Sequence, residues 1–210
     1  MSCLDTLHGR LVFERRVRVL AGHLAALLPP NASVLDVGCG DGRVARAMGE
    51  RRPDVRIEGL DVLIRPQTFI PVKAFDGQRI PCPDCHYDVV MFVDVLHHTA
   101  DPLILLREAV RVSRRGLLIK DHCLEGWLAG PTLRFMDWVG NARHGVALPY
   151  NYWPWAQWQT TWSELGLRPT TCLRRLHLYP PPASWFFERS LHFIAWLEKQ
   201  DMNHPSLSQE

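Results

Sequence analysis

Three places along this 210-residue chain put side chains capable of chemistry beside a glycine turn or a strand end. The first is Ser33–Gly42, SVLDVGCGDG, where Asp36 precedes Gly38, Gly40 and Gly42. Glycines let the backbone turn sharply and let a ligand come close, because no Cβ stands in the way. A carboxylate beside such a turn is costly to bury unless something pairs with it. It would repel a nucleotide pyrophosphate and attract a ligand ammonium. The second is Asp61, about twenty residues after the glycines, where an acidic side chain can accept both ribose hydroxyls of an adenosine ligand. The third is a set of histidines: His97, shortly after Asp94 and Val95; His122, next to Asp121; and His144. Imidazole titrates near neutral pH, so each is a candidate general base.

The elements that must hold these residues follow from the apolar pattern. Val34, Leu35 and Val37 read as a short buried strand, and RVARAMGERR after the glycines has helical spacing. Strand, glycine turn, helix is the nucleotide-binding unit of open α/β sheets. A helix over 10–28 precedes it, ended by Pro29–Pro30, and is expected to pack on the sheet. Residues 55–62 read as a second strand and 72–75 as a short third. Residues 89–95 form a fourth, apolar on both faces as a central parallel strand should be. Pro102 opens a helix that Arg114–Arg115–Gly116 ends, and Gly116–Lys120 is a fifth strand. Residues 123–153 break the alternation. They are too long for a simple connection and too apolar for a disordered loop, and read as a helical lid with a helix over 131–139. Asn141, Arg143, His144, Tyr150 and Tyr152 are the polar groups that lid could bring to a substrate. A helix over 154–165 and two strands, 167–176 and 191–197, joined through Pro180–Pro182, complete one domain over 1–200. The polar tail 201–210 reads as disordered.

Composition narrows the partners. The formal charge is +2, from 24 Lys and Arg against 22 Asp and Glu, so nothing electrostatic favours nucleic acid or an anionic membrane. No run is long enough to span a bilayer and no secretory signal opens the chain. With six scattered cysteines this suggests a cytoplasmic protein with reduced thiols. Cys82, Cys85 and His86 have zinc-ligand chemistry, but no second pair at matching spacing follows, so no metal site is expected. All eight tryptophans lie at or after Trp127. An aromatic second half is expected where an apolar ligand is enclosed, although tryptophan fills a core equally well.

The string VLDVGCGDG resembles the cofactor-binding signature of the class I S-adenosylmethionine-dependent methyltransferases. Ile80, Pro81, Asp84, Tyr87 and Asp88 resemble that family's loop into its fourth strand, and VLHH resembles the ubiquinone/menaquinone-biosynthesis (methyltransferase type 11) group. The resemblance covers 33–121 well and the rest by architecture alone. It implies a Rossmann-like, doubly wound, seven-stranded mixed sheet with the lid inserted after the fifth strand. It also implies S-adenosylmethionine as cofactor, held by Asp36, Gly38, Cys39, Gly40, Asp61, Val62, Asp76, Gly77, Asp94 and Val95. Among these, Asp36 and the glycine backbone would take the methionine part, Asp61 the ribose and Asp76 the adenine.

The implied reaction is in-line methyl transfer to a small, apolar or aromatic molecule, with oxygen or carbon favoured as acceptor. His97, His122 or His144 would be the base, with His98 a structural partner. The protein would be a monomer or a homodimer. Methylation of RNA or protein, a non-catalytic S-adenosylmethionine-binding role and a nicotinamide oxidoreductase are the alternatives. Near-neutral charge speaks against RNA. Asp36 and the closing strand pair speak against the oxidoreductase.

Overall fold

Along Val89–Phe92 the side chains alternate between two cores. Val90 and Phe92 point to one and Val89 and Met91 to the other, all four 0% exposed. The same alternation runs through the sheet, and so the fold has three layers. The computed structural model describes residues 3–141 and 149–200, with side chains over 13–140 and 149–200. Its strands are β1 (Ser33–Val37), β2 (Arg56–Asp61), β3 (Val72–Ala74), β4 (Tyr87–Val93), β5 (Ser113–His122), β6 (Leu167–Leu173) and β7 (His192–Lys199). They form one seven-stranded sheet in the order β3-β2-β1-β4-β5-β7-β6. β7 runs antiparallel to both neighbours and the other pairings are parallel. This is the Rossmann-like class I methyltransferase sheet that the sequence implied.

One face of the sheet is covered by α1 (Cys3–Leu27) and α2 (Arg43–Arg51), through Leu20, Ala21, Leu24 and Met48. The other is covered by α3 (Pro102–Val112) and α5 (Trp155–Glu164), through Leu105, Leu106, Trp158 and Trp162. α4 (Ala129–Asn141) follows β5 and stands over the carboxyl edge of the sheet, with α6 (Ala183–Phe187) beside it. Asp101 caps α3 by accepting from Leu103 N at 2.9 Å, and Pro102 fills the first helical position, where no N–H is missed.

Several boundaries differ from the sequence expectation: β4 covers Tyr87–Val93 rather than 89–95, and β6 ends at Leu173 rather than 176. α1 starts at Cys3 rather than residue 10. β5 takes in Ser113–Arg115, read as the end of α3, because β4 offers a pairing edge as far as Tyr87 opposite Ser113. The short α6 interrupts a segment expected to be loop. At Gly116 the backbone of β7 passes so close that an added Cβ would stand 2.0 Å from Leu197 O. Gly116→Ala must therefore push β7 away, at the roughly 1–3 kcal/mol of an overpacked site or more. Urea unfolding checks this, and wild-type stability in that variant would refute the close approach.

Candidate active site

Strand order reverses between β1 and β4, and both strands end at the same edge. In open α/β sheets that is where ligands bind. The glycine turn after β1 is held from two sides. Gly38 N and Cys39 N donate to Leu60 O at 2.7 and 3.1 Å, and Gly40 N donates to Asp61 Oδ2 at 2.7 Å. Gly38, Gly40 and Gly42 have φ of 74°, 59° and 79°, the left-handed region that favours glycine. Gly38 and Gly42 are also excluded as larger residues by packing, since a Cβ there would lie 2.6 Å from Val95 and 2.5 Å from Ile70. Around Gly40 the space is open, with nothing within 4 Å of a built Cβ.

That open space belongs to a cavity of about 610 Å³. Gly38, Gly40, Asp61, Val62, Asp76, Gly77, Asp94 and Val95 border it. Its charged lining is acidic except for Arg65, so a pyrophosphate would be repelled and a cationic cofactor suited. Each Asp61 oxygen accepts one backbone N–H, from Gly40 or Leu63, and keeps capacity for a ribose hydroxyl. Asp76 closes a tight turn by accepting from Gln78 N and Arg79 N, both at 2.8 Å. These two bonds hold its carboxyl below the usual range. Asp36 lies one layer deeper, 2% exposed and outside the lining of this cavity, with Oδ1 buried and unpartnered. Burial, with the Asp61 charge nearby, pushes its carboxyl up to about 7. The acidic lining, the open position at Gly40 and this orphaned carboxylate fit a cofactor that carries positive charge.

A second cavity, of about 290 Å³, lies on the other side of the glycine turn. The two share Gly38, Gly40, Asp94 and His98. Asp94 sits just past β4 with φ 58° and is the hub of a charged network. Arg16 from α1 and Lys120 from β5 both donate to its carboxylate. Burial alone would raise the Asp94 carboxyl, but these two cations outweigh it and hold it well below the carboxylate range. Lys120 is 0% exposed; burial pulls its ammonium down, against the pull of Asp94.

His97 is clamped. Its Nδ1 lies 2.5 Å from Asp121 Oδ1 and its Nε2 3.4 Å from Asp137 Oδ2. Burial would lower its pKa, but the two carboxylates outweigh burial and push it up to about 10. His122, 3% exposed, faces Asp94 at 3.5 Å and Asp137 at 3.8 Å. Burial and the Lys120 charge keep it neutral. His98, half-buried, is the histidine bordering both cavities, and its Nδ1 has no partner. Burial and the neighbouring His97 lower its pKa.

The structure thus lines the larger cavity with the expected cofactor residues apart from Asp36 and Cys39, and the smaller one with Cys39, His97 and His122. His144 and Arg143 lie outside the described residues, as does the side chain of Asn141. Tyr152 donates its hydroxyl to Asp137, and Tyr150 lies under Arg134, 5.5 Å from it. α1 does more than pack: Phe13, Arg16, Val17 and Leu20 line the smaller cavity. The residues missed are Asp137, Lys120 and Arg16, and His98, expected as a structural partner, borders both cavities. Asp137 had a legible signal, a lone carboxylate inside an apolar helix. The tryptophans correct an expectation, because none lines either cavity. Trp153, Trp158, Trp162 and Trp196 are buried in the cores, and Trp127, Trp138 and Trp185 are exposed. Cys82, Cys85 and His86 lie away from both cavities.

A model of the methyltransferase-domain family matches residues 12–171. Over 118 residues the chain is 31% identical to 27-O-demethylrifamycin SV methyltransferase of Amycolatopsis mediterranei (49% of this chain, 43% of the relative). Over 95 residues it is 33% identical to ubiquinone biosynthesis O-methyltransferase of Aliivibrio fischeri (40% of each). The matches therefore span about two fifths of these relatives' own length. Among solved structures, an S-adenosylmethionine dependent methyltransferase from Mesorhizobium loti superposes with a TM-score of 0.61. The identity is 16%, covering 85% of this chain and 96% of that one, and this likeness speaks for the fold.

Proposed function

The chain belongs to the methyltransferase-domain family, and from that premise we propose that it methylates a hydroxyl or acidic carbon of a small molecule, using S-adenosylmethionine. The observation that carries this reading is the shared wall. The larger acidic cavity and the smaller one meet at Gly38, Gly40, Asp94 and His98. A group resting on the glycine turn therefore faces whatever the smaller cavity holds.

When bound, the cofactor supplies an electrophilic methyl on a sulfonium leaving group. The chain supplies the rest. The Gly38–Gly40 backbone, with Cys39 and Asp36 beneath, holds the methionine end. Asp61 and Val62 take the ribose, Asp76 and Gly77 the adenine, and Asp94 and Val95 complete the wall. Alignment and a dry site account for most of such a rate enhancement. α4 brings Met136 and Asp137 over the smaller cavity and serves as its lid. Phe13, Val17, Leu20 and Met136 offer an acceptor an apolar wall, and the histidine edge offers its hydroxyl a polar end. Oxygen as acceptor atom is supported by the Aliivibrio relative, which is named an O-methyltransferase. An oxygen or carbon acceptor must lose a proton, and this falls to His98 and His122, whose pKa values burial lowers, while His97, raised to about 10, already carries its proton. His144, outside the described residues, is a further candidate there.

Thermal unfolding with S-adenosylmethionine, its demethylated product and NAD tests the reading. At a hundred times its dissociation constant a ligand adds about 2.7 kcal/mol, a shift of a few degrees. A shift with the first two and none with NAD is expected. A shift with NAD alone would overturn it.

A further inference from the structure

We propose that His97, His98 and Asp137 form a site for one divalent transition-metal ion of the zinc type, opening into the smaller cavity. Their donor atoms all lie within 4.8 Å of one another. Donors of a tetrahedral zinc site with bonds of about 2.0–2.1 Å stand roughly 3.4 Å apart, so the set must contract by no more than about 1.4 Å to hold one ion. His97 Nε2 and Asp137 Oδ2 already stand at 3.4 Å.

The arrangement around the three residues is what singles them out. His97 is 2% exposed, and its Nε2 faces the Asp137 carboxylate inside the protein. Its other nitrogen, Nδ1, is 2.5 Å from Asp121 Oδ1. Asp121 is itself fixed, because Leu96 N donates to Oδ2 at 2.9 Å and His122 N donates to Oδ1 at 2.7 Å. A carboxylate that takes one ring nitrogen of a histidine orients the other toward a metal and raises its basicity. His98 Nδ1 is buried without a partner, and the two rings lie 4.1 Å apart between centroids. On the far side, Tyr152 donates to Asp137 and so orients that carboxylate. Two imidazoles and a carboxylate with a fourth position left open is the donor set of a catalytic rather than a structural zinc site.

All three residues line the cavity in which an acceptor would sit. An ion there would lower the pKa of a coordinated hydroxyl, and so do the work for which several histidines otherwise compete. This consequence rests on the proposed methyl transfer; the binding of the ion does not.

The test uses the purified full chain, stripped with a chelator and titrated with Zn²⁺ by calorimetry and with Co²⁺ by visible absorption. One ion per chain is expected, with tetrahedral Co²⁺ bands and no sulfur-to-metal charge transfer. Asp121→Asn should weaken binding by the 10–100-fold typical of an outer-shell partner. Asp137→Asn and His98→Gln should weaken it more. His98 is half-buried, so His98→Gln keeps the test alive if Asp137→Asn fails to fold. The absence of a one-to-one complex would overturn the proposal. So would affinity unchanged by His98→Gln, or binding lost in Cys82→Ser/Cys85→Ser instead. S-adenosylmethionine binding is scored separately by thermal shift in wild type and in Asp137→Asn, which does not line the larger cavity. Ion binding without any cofactor shift would leave the metal site standing and remove the methyl-transfer reading.

Discussion

Asp94→Ala is expected to lower the stability of the chain by about 3–5 kcal/mol, the cost of leaving a buried charge without its partner. Lys120 is the residue that suffers. It is 0% exposed, and its ammonium donates to Asp94 and faces His192 Nδ1 at 3.4 Å. His192 Nε2 points at Phe187 O, 2.9 Å away, so that nitrogen carries the proton and Nδ1 can accept from the lysine. One neutral acceptor does not replace a carboxylate. Arg16 also loses its partner, but its side chain is 30% exposed and can turn to water. Lys120→Met in the Asp94→Ala background removes the stranded charge and should recover a large part of the loss. The pair then couples by roughly 0.5–3 kcal/mol in a double-mutant cycle measured by urea unfolding. If the two losses simply add, Asp94 is not what keeps Lys120 charged inside the protein.

This network also shows where sequence reading stops. The glycine turn, Asp61 and the strand end at Asp94 lie within 33–94. Their roles depend on local geometry: a turn without Cβ atoms, then an acid at the end of the adjacent strand. Such features leave a mark in spacing. The doubly apolar β4 was legible for the same reason, because burial on both faces removes the polar alternation. The buried charged network behind the smaller cavity is assembled differently. Arg16, Asp94, Lys120, Asp137 and His192 come from α1, the end of β4, β5, α4 and β7, and no spacing links them. Lys120 looks like an ordinary residue near a strand end until β7 covers it. The tryptophans misled for a physical reason. A large apolar ring is as well satisfied in a core as against a ligand, and the cores took Trp158 and Trp162.

Asp36→Asn is expected to make stability less sensitive to pH. The folded pKa of Asp36 stands at about 7 against the ordinary 3.8 of the free side chain, raised by burial and by the Asp61 charge. Between those values the folded state keeps a proton that the unfolded state has lost. Stability therefore falls as pH rises, by about 1.4 kcal/mol per unit, and the total is of order 4 kcal/mol. Above pH 7 both states are ionised and the penalty is constant. The asparagine is nearly isosteric and never ionises, so the variant should gain on wild type steadily from about pH 4 to pH 7, then hold its lead. Other groups titrate in the same range. His97, raised to about 10, adds a fall above its unfolded pKa, and His122, lowered, adds a rise below it. Both are present in the two proteins, so the difference between the curves isolates Asp36. Urea unfolding at several pH values measures that difference. A difference that does not change between pH 4 and 8 would mean that Asp36 is ionised throughout, with a partner supplied from within the fold. A cationic ligand at the glycine turn should act on the same group, drawing its pKa down and releasing a proton on binding near pH 6. Calorimetric titration with S-adenosylmethionine in two buffers of different ionisation enthalpy detects that proton, and in Asp36→Asn it should vanish.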